Sequence, residues 1–569
     1  ELSGGKFMKT LSGGQAAVAS LQAEKVEHVF GLIGSATMEL FDALYDAKDI
    51  NFIGIHDERT GTHMADGYAR ASGKPGVVLA GQNGPGATNL VTGLAQAAAA
   101  FSPVVSIAGS LSSAHVYRDA FQEIDQQSLF KPVTKKTWTV TQTDRIPEMF
   151  REAFRVAMSP RRGPVQLNLP RDVLSAQADF PDFQSPDNYR LQSAPTASDT
   201  SIKAAADLLH SALKPVIVIG GGIKNNNAHI EALALAESIN APIIMAPGHG
   251  DAIPADHRLN GGQMGPRGNP VASRLAKEAD VILALGTRLG FNSTFYSYDN
   301  INVKAKIIQV ELEPTAIGRY FPIELGIWAD ARQTAIQLTA AFSRFEKIAE
   351  VEQWTNEFEA ERQKYLVDRD TNAAINQHPI QPSGLYKVLR DVLPANTAIT
   401  LDAGTLCLQA TDALIYHQPS SLFSPLDFGL VGFSFACGLG IKLARPEKTV
   451  VSLMGDGGFG MTLSELSTAV DHGINTTTIV MNNQCWGAEK AYQRDFFGKR
   501  YIGANISSPP FDKVAELYGA KGFHVDRIED VGEAVTAAIA CGKPAVVDIA
   551  VDPKALYSFR RDSFKHRGG

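Results

Sequence analysis

Short, nearly unbroken apolar runs recur along the chain, each followed by a stretch of helical polarity. They include 75–81 (PGVVLAG), 103–109 (PVVSIAG), 164–170 (PVQLNLP), 215–222 (PVIVIGGG), 241–246 (APIIMA), 280–286 (DVILALG), 306–312 (KIIQVEL), 397–404 (TAITLDAG), 449–457 (TVVSLMGDG), 476–483 (TTTIVMNN) and 544–551 (PAVVDIAV). Runs without polar alternation need cover on both faces, which parallel sheets flanked by helices provide. The expected fold class is therefore α/β, built from doubly wound parallel sheets. A chain of 569 residues is too long for one core and fills about three or four domains of usual size.

Two breaks divide it. Residues 180–201 are rich in Pro, Ser and Asp; residues 342–384 read as a charged helical connector followed by a polar, proline-containing segment. The expected division is 8–185, 195–345 and 380–555, with a tail at 556–569. Residues 1–7 (ELSGGKF) read as an added leader before Met8 and are left out of the fold reasoning. Each of the three domains is expected to hold its own sheet.

Composition excludes several function classes. Fifty-three basic and 60 acidic residues give a net charge of −7, with no long basic run, so nucleic acid and anionic membranes are poor partners. The four cysteines, Cys407, Cys437, Cys485 and Cys541, form no CxxC pair; they read as reduced thiols of a cytoplasmic protein. No apolar stretch has the length of a membrane span, and no signal peptide is recognisable.

The chemistry concentrates where strands end. Asp456 closes an apolar strand between Gly455 and the pair Gly457–Gly458, and the next strand delivers Asn482 and Asn483, the latter 27 positions after that acid. Carboxyl ends of parallel strands are where open α/β sheets bind ligands. Glycines let the backbone approach a ligand, and their N–H groups can face an anion. Residues 462–473 are expected to continue as a helix whose N-terminus favours phosphate. A carboxylate, a side-chain amide and a backbone carbonyl make a hard oxygen site, suited to Mg²⁺ or Ca²⁺ rather than zinc. An isolated Gly-Asp-Gly would more readily be a helix cap with a turn; the paired spacing at two strand ends reverses that preference.

This pattern resembles the diphosphate motif of the thiamine diphosphate-dependent enzymes. Residues 56–73 (HDERTGTHMADGYARASG) resemble the family's segment carrying the glutamate that activates the pyrimidine ring, here Glu58. Residues 81–89 (GQNGPGATN) and 120–125 (AFQEID) resemble its Gly-Pro-Gly turn and its active-site glutamine segment, here Gln122. The resemblance covers essentially the whole chain and implies the domain order pyrimidine-binding, central half-Rossmann-like, diphosphate-binding. It implies thiamine diphosphate and Mg²⁺ as cofactors, with Asp456, Asn483 and the Cys485 carbonyl on the metal. It assigns Glu58 and Gln122 to catalysis. The residues implied to bind cofactor are Gly34, Ser35, Glu58, Gly404, Thr405, Leu406, Val431, Gly455, Gly457, Gly458, Asn483, Trp486 and Gly487. Val431 falls where the family keeps the apolar residue that holds the cofactor bent. Gln82, Asn83 and Gln122 are implied to contact substrate.

Within the family, 482–503 and especially WGAEK (486–490), together with 30–38, 283–294 and the terminal FRRD (559–562), are similar to the sulfoacetaldehyde acetyltransferases. The implied reaction is sulfoacetaldehyde plus phosphate giving acetyl phosphate plus sulfite. Two anions must then be held, and Arg560 and Arg561 are candidates. The acetohydroxyacid synthases share the outline, but their Arg-Phe-Asp-Asp flavin-contacting stretch is replaced here by TRLGFNSTF (287–295), which argues against bound FAD. The alternatives are an acetolactate synthase-like carboligase, a 2-oxo acid decarboxylase and, from another class, a non-catalytic nucleotide-binding α/β protein. The family implies a homodimer or homotetramer whose active sites are shared between chains.

Three motifs are set aside. GQNGPGAT approaches a phosphate-binding P-loop, but Ala87 stands where its lysine is needed. Residues 216–226 lack the full dinucleotide fingerprint. His56 and His63 have no third ligand in a zinc pattern.

Overall fold

The computed structural model describes residues 8–559. It contains three six-stranded parallel sheets, each flanked by helices, as the continuous apolar runs predict. A short antiparallel pair, Lys9–Ser12 with Gln177–Phe180, lies outside them. The chain divides into two compact units. The first holds residues up to 192 with 427–447 and 462–476; the second holds 193–426, 448–461 and 477 onwards.

In the first unit the strand order is Asn51–Gly54, His28–Leu32, Gly76–Ala80, Val104–Ser110, Val165–Pro170, Lys136–Thr139. The chain winds outward from His28–Leu32 in one direction and from Gly76–Ala80 in the other. The crevice between these two strands is a topological switch point, where loops diverge and leave room for a ligand. One face of the sheet carries a core that includes Val77, Leu79, Val105, Ile107, Phe150 and Phe154. Helix Glu58–Ser72 runs from its N-cap, Asp57, to Gly73 at φ +72°. It packs so closely on helix Ser434–Ala444 that a Cβ on Gly67 would lie 2.2 Å from the Cys437 carbonyl, and one on Gly440 1.9 Å from that of Met64. Only glycine permits this backbone contact.

The second unit holds the other two sheets. One has the order Asn260–Gln263, Ile243–Met245, Pro215–Ile219, Val281–Leu285, Lys306–Glu311, Leu325–Trp328, a Rossmann-type sequence of strands. Ile217 and Ile219 enter the core on one face, and Val216 and Val218 that on the other, as period-two alternation requires. The charged connector forms helix Ala349–Thr371, whose Trp354 and Phe358 complete the second of these cores. The last sheet has the order Leu422–Phe423, Ala398–Leu401, Val450–Gly455, Thr477–Asn482, Ala545–Ala550, Lys521–Val525. Its switch point lies between Ala398–Leu401 and Val450–Gly455, so the two sheets outside the centre share one winding.

One local expectation is corrected. The helix expected over 462–473 is shortened to Glu465–Asp471, and a separate short helix, Asp456–Gly460, precedes it. Residues 461–464 form tight turns, with Glu465 N donating to the Thr462 carbonyl at 3.1 Å and Leu466 N to that of Leu463 at 3.0 Å. The turns bring the Glu465 carboxylate to polar partners in the first unit, which a continuous amphipathic reading does not anticipate. Among the described residues no helix is long and apolar enough to cross a membrane. Arg560 and Arg561 lie outside the described residues.

Candidate functional site

The residues singled out by sequence fall at the switch points of two sheets, one in each unit. In the first unit, His28–Leu32 leads into Gly34 and Ser35, and Gly76–Ala80 leads into Gln82 and Asn83. A Cβ on Gly34 would sit 2.4 Å from the Gly81 carbonyl carbon, so the loops touch only because residue 34 is glycine. Ser35 Oγ and the Ala36 N–H both donate to Gln82 Oε1 at 3.3 Å. Gln82 Nε2 donates to Gln122 Oε1 at 2.5 Å, and Asn83 Nδ2 to the Gln122 carbonyl at 3.0 Å. Gln122 itself has φ +62°, a conformation uncommon outside glycine and held here by its two amide neighbours.

Glu58 begins its helix and is 4% exposed. Its Oε2 accepts a hydrogen bond from Asn89 Nδ2 at 3.1 Å. A Cβ on Gly86 would lie 3.2 Å from Glu58 Oε1 and equally close to Gln82 Cβ, which ties the acid to the amide network. Burial raises the Glu58 pKa, and the Asn89 hydrogen bond offsets part of that rise. A buried carboxyl with no cation among the groups that shift its pKa, and with only neutral donors, is thus disposed to hold a proton.

Sequence reasoning did not single out the residues that position this acid. Glu465 is fully buried; its Oε1 accepts from His56 N at 3.0 Å and Thr60 Oγ1 at 2.5 Å, and its Oε2 from Thr468 Oγ1 at 2.6 Å. It clamps the turn that presents Glu58. Gln126 Oε1 accepts from Gly84 N at 3.3 Å, and its Nε2 donates to the Gly109 carbonyl at 3.0 Å. No local motif marks these contacts, because the residues they join are far apart in sequence. His56 lies 3.5 Å from the Glu465 carboxylate, while buried His63 has its pKa lowered to about 3 by desolvation.

In the second unit, Gly455 and Met481 are register partners in adjacent strands, so Asp456 and the asparagine pair leave the sheet at one edge. Strand alternation divides the pair: Asn482 Nδ2 donates to Asp548 Oδ1 at 3.0 Å, whereas Asn483 turns toward Asp456. Asp456 is 1% exposed. Its Oδ2 accepts from Ser508 Oγ at 2.5 Å, and burial raises its pKa.

The Asn483 side-chain oxygen accepts from the Cys485 N–H at 3.4 Å and also faces two acceptors, Asp456 Oδ1 at 3.2 Å and the Cys485 carbonyl at 3.0 Å. Turned over, the amide would donate to both. With oxygen inward, the Asn483 oxygen lies from each of its two oxygen neighbours at a spacing close to the edge of an octahedron with metal–oxygen bonds of about 2.0–2.1 Å, whose adjacent oxygens lie about 3 Å apart. This donor set fits a small hard divalent cation and not a soft metal. The Cys485 thiol is buried, with its pKa raised by burial, and only its backbone carbonyl belongs to this set.

Around it, a Cβ on Gly457 would meet the Trp486 ring at 2.4 Å, and one on Gly487 would lie 3.1 Å from Asn483 Nδ2 and 3.7 Å from Thr405 Oγ1. Gly404, at φ +124°, N-caps helix Thr405–Ala413, whose first two residues are buried. The structure therefore gathers Thr405, Asp456, Gly457, Asn483, Cys485, Trp486 and Gly487. Gly404, Leu406, Gly455 and Gly458 lie in the same turns. Val431 lies in the first unit, partly buried in the turn between Gly429 and Gly432.

Three family models match the chain. That described as thiamine pyrophosphate enzyme, N-terminal TPP binding domain, matches residues 11–129; the central domain of the same enzymes matches 202–338; and their C-terminal TPP binding domain matches 402–549. The sulfoacetaldehyde acetyltransferase of Alcaligenes xylosoxydans xylosoxydans is 35% identical over 96% of this chain and 94% of its own length. A probable acetolactate synthase large subunit of Methanococcus aeolicus is 33% identical over 96% and 93%. The acetolactate synthase isozyme 3 large subunit of Escherichia coli K12 is 31% identical over 96% of each.

Proposed function

Because the chain belongs to the thiamine pyrophosphate enzyme family, we propose that it is an acyltransferase converting sulfoacetaldehyde and phosphate to acetyl phosphate and sulfite. The observation that carries this reading is the WGAEK segment, similar to the sulfoacetaldehyde acetyltransferases, with Trp486 packed on Gly457 and Gly487 beside Asn483. The relative at 35% identity bears the same activity in its name.

When bound, thiamine diphosphate supplies a carbanion at C2 and an electron sink. In this reading Glu58 would share a proton with N1′ of the aminopyrimidine; its burial and its neutral Asn89 donor suit that work. Asp456, Asn483 Oδ1 and the Cys485 carbonyl hold Mg²⁺ against the diphosphate, with Ser508 orienting Asp456. The N–H groups of Gly457 and Gly458 and the Gly404–Leu406 turn receive phosphate oxygens, beside Gly455, Trp486 and Gly487. Gly34 and Ser35 would border the pyrimidine, and Val431 would support the cofactor from its apolar side. Gln82, Asn83 and Gln122 offer neutral amide donors to the substrate. Arg560 and Arg561 remain proposed anion forks.

The working unit in this reading is at least a dimer, with Glu58 and Asp456 of one site contributed by different chains, and the protein is cytoplasmic. The second reading, an acetolactate-forming carboligase, is favoured by the 33% identity to the Methanococcus aeolicus protein. Supplying sulfoacetaldehyde and phosphate to the cofactor-loaded protein, and pyruvate in parallel, separates the two. Sulfite and acetyl phosphate in equal amounts support the first; acetolactate and CO₂ from pyruvate, with no sulfite, replace it with the second.

A further inference from the structure

Gln122 sits at φ +62°, and Tyr117 and Asp119 before it sit at φ +65° and +51°. None is glycine, so each left-handed residue needs something outside itself to hold it there. Apolar burial does not supply the hold. Val116, Tyr117, Phe121 and Ile124 are all exposed, Tyr117 by 96% and Phe121 by 82%. Residues 116–122 run in turns between the short helices Ser113–His115 and Gln126–Phe130, outside any strand.

The hold comes from Glu123. Its Oε1 accepts from the Tyr117 N–H at 2.6 Å and its Oε2 from the Ala120 N–H at 2.9 Å, while its own N–H donates to the Ala120 carbonyl at 3.0 Å. Backbone that mixes ordinary and left-handed residues turns successive N–H groups toward one point, a concavity suited to an anion. Here the same chain supplies the anion. The Ala120 and Tyr117 N–H groups hold the Glu123 carboxyl below the usual carboxylate range, and no cation is among the groups that shift it. Neighbouring Asp125 has a different task, capping helix Gln126–Phe130 by accepting from the Ser128 N–H at 3.0 Å. Glu123 thus fastens the loop on one side of Gln122, and the amides of Gln82 and Asn83 fasten it on the other.

We propose that Glu123 is a positioning residue, whose carboxylate sets the left-handed turn that presents the Gln122 amide to substrate. It acts through Gln122 and takes no part in activating the cofactor, which is assigned to Glu58. This inference rests on the reading of Gln122 as a substrate contact, and it holds for either of the two reactions considered above. Only a carboxylate accepts at both oxygens. A glutamine of the same size accepts at one and places its NH₂ against the other N–H.

The test compares the parent, Glu123→Gln and Glu123→Ala, each loaded with thiamine diphosphate and Mg²⁺. Hydrogen exchange at the Tyr117 and Ala120 amides should be about 10- to 100-fold faster in Glu123→Ala, and less so in Glu123→Gln. Exchange of the cofactor C2 proton and cofactor retention should match the parent; their loss alongside turnover would mark a merely structural role and overturn the proposal. Turnover of sulfoacetaldehyde with phosphate, or of pyruvate, whichever the parent converts, should fall about 10²-fold in Glu123→Ala, with Glu123→Gln between. In a Gln122→Ala background, Glu123→Ala should add little further loss. Unchanged exchange at Tyr117 and Ala120, parent-like turnover in Glu123→Ala, or a full additional loss in the Gln122→Ala background overturns the proposal. A parent that converts neither substrate removes the reading of the reaction, and the amide exchange still upholds or overturns the hold of Glu123 on the loop.

Discussion

The first and third sheets have the same strand order and the same switch point, yet opposite chemistry gathers at them. At the first, Gln82, Asn83 and Gln122 form a network of neutral amides near one buried carboxyl, Glu58, whose only side-chain donor among the described residues is Asn89. At the third, Asp456 Oδ1 faces the Asn483 side-chain oxygen, which also faces the Cys485 carbonyl, and Asp456 Oδ2 accepts from Ser508. Burial raises the pKa of both acids. In the proposed reading the first keeps its proton and the second gives its proton up to a cation. Winding fixes where the loops diverge, and a few side chains decide what each crevice binds.

The contrast breaks most directly at Glu58. Glu58→Gln is isosteric and keeps the Asn89 contact. In the loaded protein it should slow exchange of the cofactor C2 proton by about 10²–10⁴-fold, read by NMR after acid quench, with cofactor still bound. Asp456→Ala should do the opposite, leaving the fold intact and weakening Mg²⁺-dependent cofactor retention by about 2–5 kcal/mol. Equilibrium dialysis against thiamine diphosphate and Mg²⁺ measures it, and parent-like retention would remove Asp456 from the metal shell. A smaller effect is expected from Ser508→Ala, which withdraws the hydroxyl orienting Asp456. Mg²⁺ affinity should fall about 10- to 100-fold, while urea unfolding of the cofactor-free chain changes little.

The two acids also separate by pH. A folded-state pKa above the ordinary carboxylate value of 4.5 means that folded Glu58 keeps a proton the unfolded chain has lost. Stability of the cofactor-free protein should therefore fall as pH rises from that value through the raised one. Glu58→Gln should flatten this part of the curve. Added Mg²⁺ should cancel the corresponding contribution of Asp456 but not that of Glu58, because the cation displaces a proton only where oxygens converge. Urea titrations at several pH values, with and without Mg²⁺, resolve the two.

How far this contrast was legible in the sequence follows from distance along the chain. The apolar runs mark buried parallel strands because both faces must be covered. The Gly-Asp-Gly and Asn-Asn strand ends mark the cation-suited crevice because their spacing is that of one strand–helix–strand unit. Glu465 was not legible: its partners, His56 and Thr60, lie about 400 positions away. The same contact accompanies the late start, at Glu465, of the helix expected over 462–473. Ser508, 52 positions from Asp456, is a serine in a loop with nothing local to distinguish it. The orientation of the two asparagines needed the strand register, which puts Asn482 against Asp548 and frees Asn483 for Asp456.

The central claim is that one crevice handles a proton and the other a cation. It is tested most directly by measuring C2-proton exchange and cofactor retention on the same preparations of the parent, Glu58→Gln and Asp456→Ala. The account predicts a crossed pattern. Glu58→Gln retains thiamine diphosphate and Mg²⁺ but exchanges slowly, whereas Asp456→Ala loses the cofactor and recovers exchange when cofactor and metal are supplied in large excess. Parallel loss of both properties in both variants, or unchanged exchange in Glu58→Gln, would contradict it.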